Sequence, residues 1–390
     1  MSSTPDRGGD GSSAAATEID DLALLTPTLA SLGWTAEHEQ WAQSLDDPTA
    51  PALIRGRLAR VSRGFSLVFT GGDALLAASG TGRTGLDSAP ATGDFVLIRD
   101  DPDDGPILAA IAERTTALRR RAPGRLPGPQ VLAANADAVL VMHGLDRPLN
   151  LRRLERQLVV AWDSGAEPIV VLTKVDAAAD PDAIAAEVAG AALGVEVIAI
   201  SVVSGQNLDR LSKLLATKHS MALLGLSGIG KSSLVNKLSN GQVQRTSEVR
   251  ASDNRGRHTT VTRDLIPLPG GKFMIDTPGV REIGLWQAHE GLAKTFPEIE
   301  EVALKCRFAN CEHRLEPGCQ VRAAVVRGAI EERRVEHYRE LQGELTEQDE
   351  QLEEHDRRSE SRARAEAEDT RDQTRSNRKV RDRPRRRPNR

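Results

Sequence analysis

Cysteine is scarce in this 390-residue chain: there are three, at positions 306, 311 and 319. Three thiols within one short stretch exclude a disulfide framework and point to a reducing compartment. Aromatic residues make up 3% of the chain, with one tyrosine, four tryptophans and six phenylalanines. Few stacking platforms for bases are therefore available. The net charge of −4 and pI of about 6.1 exclude a global basic field, so any nucleic-acid binding has to come from local patches. No apolar run approaches the roughly 20 residues that span a bilayer. Residues 1–21 lack the basic start and apolar stretch of a secretory signal. The expectation is a cytoplasmic protein with no membrane partner, long enough for two or three domains.

The texture changes along the chain. Residues 1–45 read as a disordered extension rich in Gly, Ser and acidic residues, with a short helical patch around Trp34 and Trp41. In the next span, 46–122, short strands are expected at 57–63, 65–69, 74–78, 94–99 and 107–113. Gly71-Gly72-Asp73 marks a hairpin turn. Five short strands in about 60 residues suit a small barrel of the OB type, with another small β-domain as the alternative. Arg114, Arg119, Arg120, Arg121 and Arg125 follow, either as a solvated linker or as a grip on phosphates. Residues 123–290 alternate apolar strands with helical segments, the pattern of a doubly wound α/β domain. Residues 291–345 read as helical around a Cys/His cluster. Residues 346–390 read as a charged region, with an exposed helix over 331–354. The last 20 positions carry ten Arg or Lys against two Asp and read as a flexible basic tail.

The strongest motif is Gly225-Leu226-Ser227-Gly228-Ile229-Gly230-Lys231-Ser232-Ser233. A strand-like run at 221–224 precedes it and a helix-like run at 234–238 follows, the context a phosphate-binding P-loop requires. Its glycines let the backbone wrap a phosphate chain without Cβ clashes. Its N–H groups and the helix start supply positive potential. Lys231 is expected on the β- and γ-phosphates and the Ser232 hydroxyl on magnesium. Such a loop alone does not distinguish ATP from GTP.

Three further segments narrow the reading. Asp276-Thr277-Pro278-Gly279 ends an apolar strand 45 residues after Lys231. Its Asp276 suits the magnesium shell and its Gly279 N–H suits the γ-phosphate. Between lies Ser252-Asp253-Asn254-Arg255-Gly256-Arg257-His258-Thr259-Thr260, read as a first switch loop, with a plain surface loop as the alternative. Thr259 or Thr260 is the candidate second hydroxyl on magnesium. Val280 stands where many GTPases place a water-orienting glutamine, and valine lacks that chemistry. Either His258 takes the role as a catalytic residue or hydrolysis is slow.

Earlier in the chain, Thr173-Lys174-Val175-Asp176 follows the apolar strand 168–172. The expected form is Asn-Lys-x-Asp. Its Asp accepts from N1–H and the N2 amino group of guanine, donors that adenine lacks. Lys174 lays its stem along the base. Thr173 in place of Asn is a departure. Ser201-Val202-Val203-Ser204-Gly205 is the candidate loop against guanine O6. Both base-side loops precede the phosphate loop, the reverse of the common order. A parallel sheet accepts that permutation because every loop still reaches the carboxyl edge.

Cys306, Cys311, His313 and Cys319 have the spacing C-x4-C-x-H-x5-C. Three thiolates and an imidazole form a closed tetrahedral set for one structural zinc, with buried thiols that merely cluster as the alternative.

Taken together, these segments resemble the ribosome small-subunit-dependent GTPase A family, the circularly permuted GTPases of bacterial ribosome assembly. The resemblance covers about residues 50–340. It implies an amino-terminal OB fold, a permuted GTPase domain and a helical zinc domain. It also implies GTP and GDP with magnesium as ligands, the small (30S) subunit and its rRNA as partner, and hydrolysis coupled to release late in maturation. It favours His258 as catalytic. A monomer is the simplest reading. Two other classes stay open on residues alone: a nucleic-acid-binding module whose site only senses nucleotide, and an ATP-using P-loop enzyme.

Overall fold

The structure, a computed structural model, describes residues 27–79, 86, 88–122, 128–239, 241, 263–277 and 284–381. The helix expected near the first tryptophans is α1 (Ala36–Leu45). Thr35 caps it, accepting from the His38 N–H while the His38 ring accepts from the Thr35 N–H.

Five strands follow: β1 (Ile54–Val61), β2 (Phe65–Phe69), β3 (Ala74–Ala78), β4 (Phe95–Asp101) and β5 (Gly105–Ile111). They pair in the closed ring β1-β2-β3-β5-β4-β1, with only β3 and β5 parallel. Inward-facing Leu58, Val68, Ala77, Val96, Ile98 and Leu108 fill it. This is the expected OB-type barrel, with β1 beginning three residues earlier than the sequence suggested. The left-handed backbone at Gly71 makes the β2–β3 turn.

The arginine run after the barrel is not a linker. Arg114 grips the buried Asp94 carboxylate through two contacts of 2.7 Å. Arg119, Arg120 and Arg121 lie in β6 (Ala117–Arg121), which pairs antiparallel with β7 (Pro129–Ala134). Ala117 and Leu118 are buried, and this anchors the hairpin. Arg125 lies outside the described residues.

The α/β domain contains β8 (Ala138–Gly144), α2 (Leu151–Asp163), β9 (Glu167–Thr173), α3 (Pro181–Ala191), β10 (Glu196–Ala199), α4 (Leu208–Leu214), β11 (Ser220–Leu224), α5 (Lys231–Leu238), β12 (Asp264–Leu268) and β13 (Lys272–Asp276). Parallel strands run in the order β10-β9-β8-β11-β13, and β12 lies antiparallel on β13. Covered on both faces, these strands read as continuous apolar runs rather than alternating ones. β11 comes late in the chain yet sits mid-sheet between β8 and β13, which is the permutation seen in space. β12 also meets β1, where Arg60 and Asp264 face each other and form an ion pair. Arg57 of β1 is buried at the same junction. It donates to the carbonyls of Gly93 (3.1 Å), Leu32 (2.9 Å) and Asn135 (2.9 Å) and to Ser220 Oγ (3.1 Å), and it stacks over Phe95. Burial lowers its pKa to about 10.

The remaining helices are α6 (His289–Thr295), α7 (Pro297–Ala303), α8 (Gln320–Val326) and α9 (Glu332–Arg381). α6 lies so close to α2 that a Cβ on Gly291 would stand 2.0 Å from the Val159 carbonyl. The start of α9 departs from the exposed helix expected there. Val335, Tyr338, Leu341, Leu345 and Gln348 recur at intervals of three and four and are buried. The surrounding Glu and Arg masked that stripe in the composition. The helix also continues through positions 371–381, where a flexible tail was expected.

Candidate functional site

The buried strand β11 delivers its chain to the phosphate loop at the carboxyl edge of the sheet. A Cβ on Gly225 would come within 2.8 Å of the Met142 carbonyl, and Gly230 has φ +102°, so both positions need glycine. Lys231 opens α5, and no side chain caps that helix. The loop's Ser227 and Gly228 are exposed, Leu226, Ser232 and Ser233 are half-buried, and Ile229 is buried. Lys231 Nζ donates to the carbonyls of Gly225 (2.9 Å) and Leu226 (2.8 Å). Burial lowers its pKa, and the nearby Asp276 carboxylate works in the opposite direction. The lysine is thus held inside the concavity of its own loop.

The base-side segment touches the same loop. The Thr173 hydroxyl lies 2.6 Å from the Ile229 carbonyl and 3.2 Å from that of His143. One hydroxyl proton serves one acceptor well, so the shorter contact prevails; an asparagine amide carries two N–H groups. Lys174 has φ +59°, and its Nζ donates to the Gly228 carbonyl and to Asp146 Oδ2, each at 2.8 Å. Asp176 follows in the 3-10 turn Val175–Ala177 and is exposed, while Val175 is buried beneath it. The Val175 N–H reaches the Ile200 carbonyl, which joins this turn to the segment that begins at Ser201. Ser201 is buried; its hydroxyl accepts from the Ser204 N–H and its carbonyl from the Gly205 N–H.

On the other flank, Asp276 ends β13 in register with Leu223 of β11. The Thr277 hydroxyl donates to the Leu223 carbonyl. Thr173, Lys174, the loop 225–231 and Asp276 therefore converge, with Asp176 and Ser201 at one side. His258, Thr259, Thr260 and Gly279, like Gly256, Arg257, Pro278 and Val280, lie outside the described residues.

Sequence reading missed the surroundings of Gly284, where the described chain resumes after the segment Asp276-Thr277-Pro278-Gly279. The Arg121 N–H donates to the Gly284 carbonyl. The buried Gln348 side chain of α9 accepts from the Gln287 N–H (2.8 Å) and donates to the Leu285 carbonyl (2.9 Å). Glu344 accepts from the Leu285 N–H at 3.3 Å and also binds Arg156 of α2. The backbone at Leu285 and Gln287 is clasped by one amide as if by a neighbouring strand. The signal available in the sequence was the three-and-four spacing of α9.

The second cluster lies between α7 and α8. One ligand atom from each of Cys306, Cys311, His313 and Cys319 falls within 4.8 Å of the others. His313 Nδ1 is 3.7 Å from Cys306 Sγ and 3.6 Å from Cys319 Sγ. N–H groups of Gln320 and Arg322, at the start of α8, point at Cys306 and Cys319 sulfur. Such donors suit thiolates. The donor set and its convergence fit a tetrahedral zinc. No helix among the described residues is long and apolar enough to cross a membrane.

The sequence profile described as RsgA GTPase matches residues 111–286, and that described as 50S ribosome-binding GTPase matches residues 220–364. The chain is 40% identical over 326 residues to the small ribosomal subunit biogenesis GTPase RsgA of Syntrophotalea carbinolica, covering 80% of this chain and 88% of that one. It is 41% identical to the protein of the same name from Streptomyces coelicolor, covering 81% and 86%. Among solved structures it is similar to YloQ, a circularly permuted GTPase, with a TM-score of 0.53 and 24% identity over 78% of this chain and 98% of that one. It is likewise similar to YjeQ from Thermotoga maritima, with a TM-score of 0.54, 24% identity and coverage of 75% and 99%.

Proposed function

The chain belongs to the RsgA family of GTPases, and from that premise we propose that it serves the late maturation of the small ribosomal subunit, with hydrolysis coupled to its release. The observation that carries the reading is the joining of two loops. Lys174 and Thr173 of the base-side motif both donate to carbonyls of the phosphate loop, at Gly228 and Ile229. A ligand bridging these loops presents a purine to one and a phosphate chain to the other. Asp176, exposed beside them, is the group that selects guanine through its N1–H and N2 donors.

Each residue then has a task. The loop 225–230 and the start of α5 cradle the phosphates, and Lys231 exchanges its two carbonyl partners for phosphate oxygens. Ser232 and Asp276, with Thr259 or Thr260, would hold a magnesium ion, which would supply positive charge against the phosphates. Gly279 donates its N–H to the γ-phosphate. His258 orients the attacking water, the role Val280 lacks the atoms to perform. Cys306, Cys311, His313 and Cys319 hold a structural zinc. The rRNA is met by local basic patches, among them the terminal arginines, in a monomeric cytoplasmic protein.

The test is GTP turnover by the full chain with and without small subunits. Strong stimulation by the subunits is expected; an unchanged rate rejects the subunit reading. Asp176→Asn is expected to move preference from guanosine to xanthosine nucleotides, and an unmoved preference rejects the base assignment.

A further inference from the structure

Lys174 is held from two sides, and the second side belongs to a segment outside the nucleotide-site motifs of the sequence. We propose that Asp146, in the connection between β8 and α2, is a positioning residue for guanine nucleotide binding: it sets the course of the Lys174 side chain before the base arrives. This deepens the nucleotide-site reading above and rests on it.

Asp146 Oδ2 lies 2.8 Å from Lys174 Nζ, whose other partner is the Gly228 carbonyl, also at 2.8 Å. The two residues are 28 positions apart, so their meeting is a product of the fold. The backbone fixes it: the Leu145 N–H donates to the Thr173 carbonyl at 2.9 Å, so the residue before Asp146 is tied to the residue before Lys174. Gly144 makes room for the carboxylate, because a Cβ there would stand 2.7 Å from Asp146 Oδ1. Downstream, Asn150 caps α2 by accepting from the Arg153 N–H, which anchors the far end of the connection. The other cation near Asp146 is Arg147, at 3.3 Å and 3.4 Å, long contacts from a half-exposed neighbour.

The pair is about one-third exposed on each side, so it adds little to the stability of the fold. Its effect lies in pre-organisation. A lysine stem has many rotamers, and a base stacking along it has to select one. Two fixed anchors, one on the phosphate loop and one on the β8–α2 connection, leave little to select. Because Lys174 acts on the base end of the ligand, the effect falls equally on GDP and GTP.

The test is a double-mutant cycle on the full chain, read as dissociation constants for fluorescent GDP and GTP. Asp146→Ala is expected to weaken both by about fivefold, in equal measure. Lys174→Met is expected to weaken both by a similar or larger factor, and adding Asp146→Ala to Lys174→Met is expected to cost nothing more. Asp146→Asn preserves the shape of the connection and keeps the cycle readable should alanine disturb it. Its smaller loss is also expected to vanish in the Lys174→Met background. Unchanged affinities in Asp146→Ala, or a full additional loss in the double variant, overturn the inference. Asp176→Asn, measured with xanthosine diphosphate alongside, separates the two levels. If it binds that ligand while Asp146→Ala keeps wild-type affinity, only the positioning role falls. If it does not, the base-reading site falls and takes this inference with it.

Discussion

The α/β domain is joined to its neighbours in two different ways. Toward the barrel, β1 meets β12 at Arg60 and Asp264, and the partners of the buried Arg57 guanidinium are backbone carbonyls, those of Leu32, Gly93 and Asn135. Toward the helical domain, the polar contacts between α2 and α9 run from side chain to side chain. Glu155 of α2, fully buried, meets Arg333 and Arg334 at 3.0 Å and His337 at 2.5 Å, while Arg152 and Arg156 pair with Glu340 and Glu344 of α9. Backbone partners are fixed by the chain path, whereas side-chain partners exchange by rotating. The exchangeable junction also clasps Leu285 and Gln287, just beyond the segment that Asp276 opens.

The largest test of this contrast is Arg57→Met, which keeps volume and removes every donor. Loss of about 4 kcal/mol is expected in urea unfolding, since four hydrogen bonds go and the Leu32 carbonyl is left without a donor, while the Gly93 and Asn135 carbonyls keep Asn135 Nδ2 and Ser220 Oγ. A neutral result would erase the distinction between the junctions. Glu155→Gln comes next, at about 3 kcal/mol, because Arg334 keeps only Glu298 as a carboxylate partner. Its loss should appear in amide exchange along α9 while β1 and β4 stay protected.

The same carboxylate sets a pH dependence. Burial works to raise the Glu155 pKa, but the bond from His337 and the charges of Arg333 and Arg334 outweigh it, and the net shift is downward. Its stabilisation is complete above the ordinary glutamate range, near pH 4.3, and is lost as pH falls through the lower folded value. Acid should therefore release α9 before the barrel, which exchange measured across a pH series would show. Gln348→Ala is expected to cost about 2 kcal/mol and to expose the Gln287 amide. Arg152→Ala, at an exposed pair, is expected to cost about 0.5 kcal/mol or less.

Much of this was legible beforehand where the chemistry is local. The phosphate loop, the carboxylate ending β13 and the Cys/His spacing are read from neighbours in sequence, because backbone geometry alone demands Gly225, Gly230 and the ligand intervals. The barrel was legible from turn residues and short apolar runs. Arg57 was not, since an arginine in a strand ordinarily points to water and nothing local announces four acceptors from distant segments. Asp146 was hidden for the same reason: its partner lies across the sheet edge. The stripe of α9 was present as a period but drowned by charge. Glu155 and Glu344 became meaningful only when α2 and α9 were seen side by side.

One dimension of α9 matters beyond its contacts. Fifty residues of helix measure about 75 Å at 1.5 Å per residue. The clasp at Gln348 sits near the root, with about 50 Å of rod beyond it. A tilt of roughly 5° there swings the far end by about 4 Å, so a change too small to notice beside the nucleotide is magnified into a displacement wider than a hydrogen bond is long.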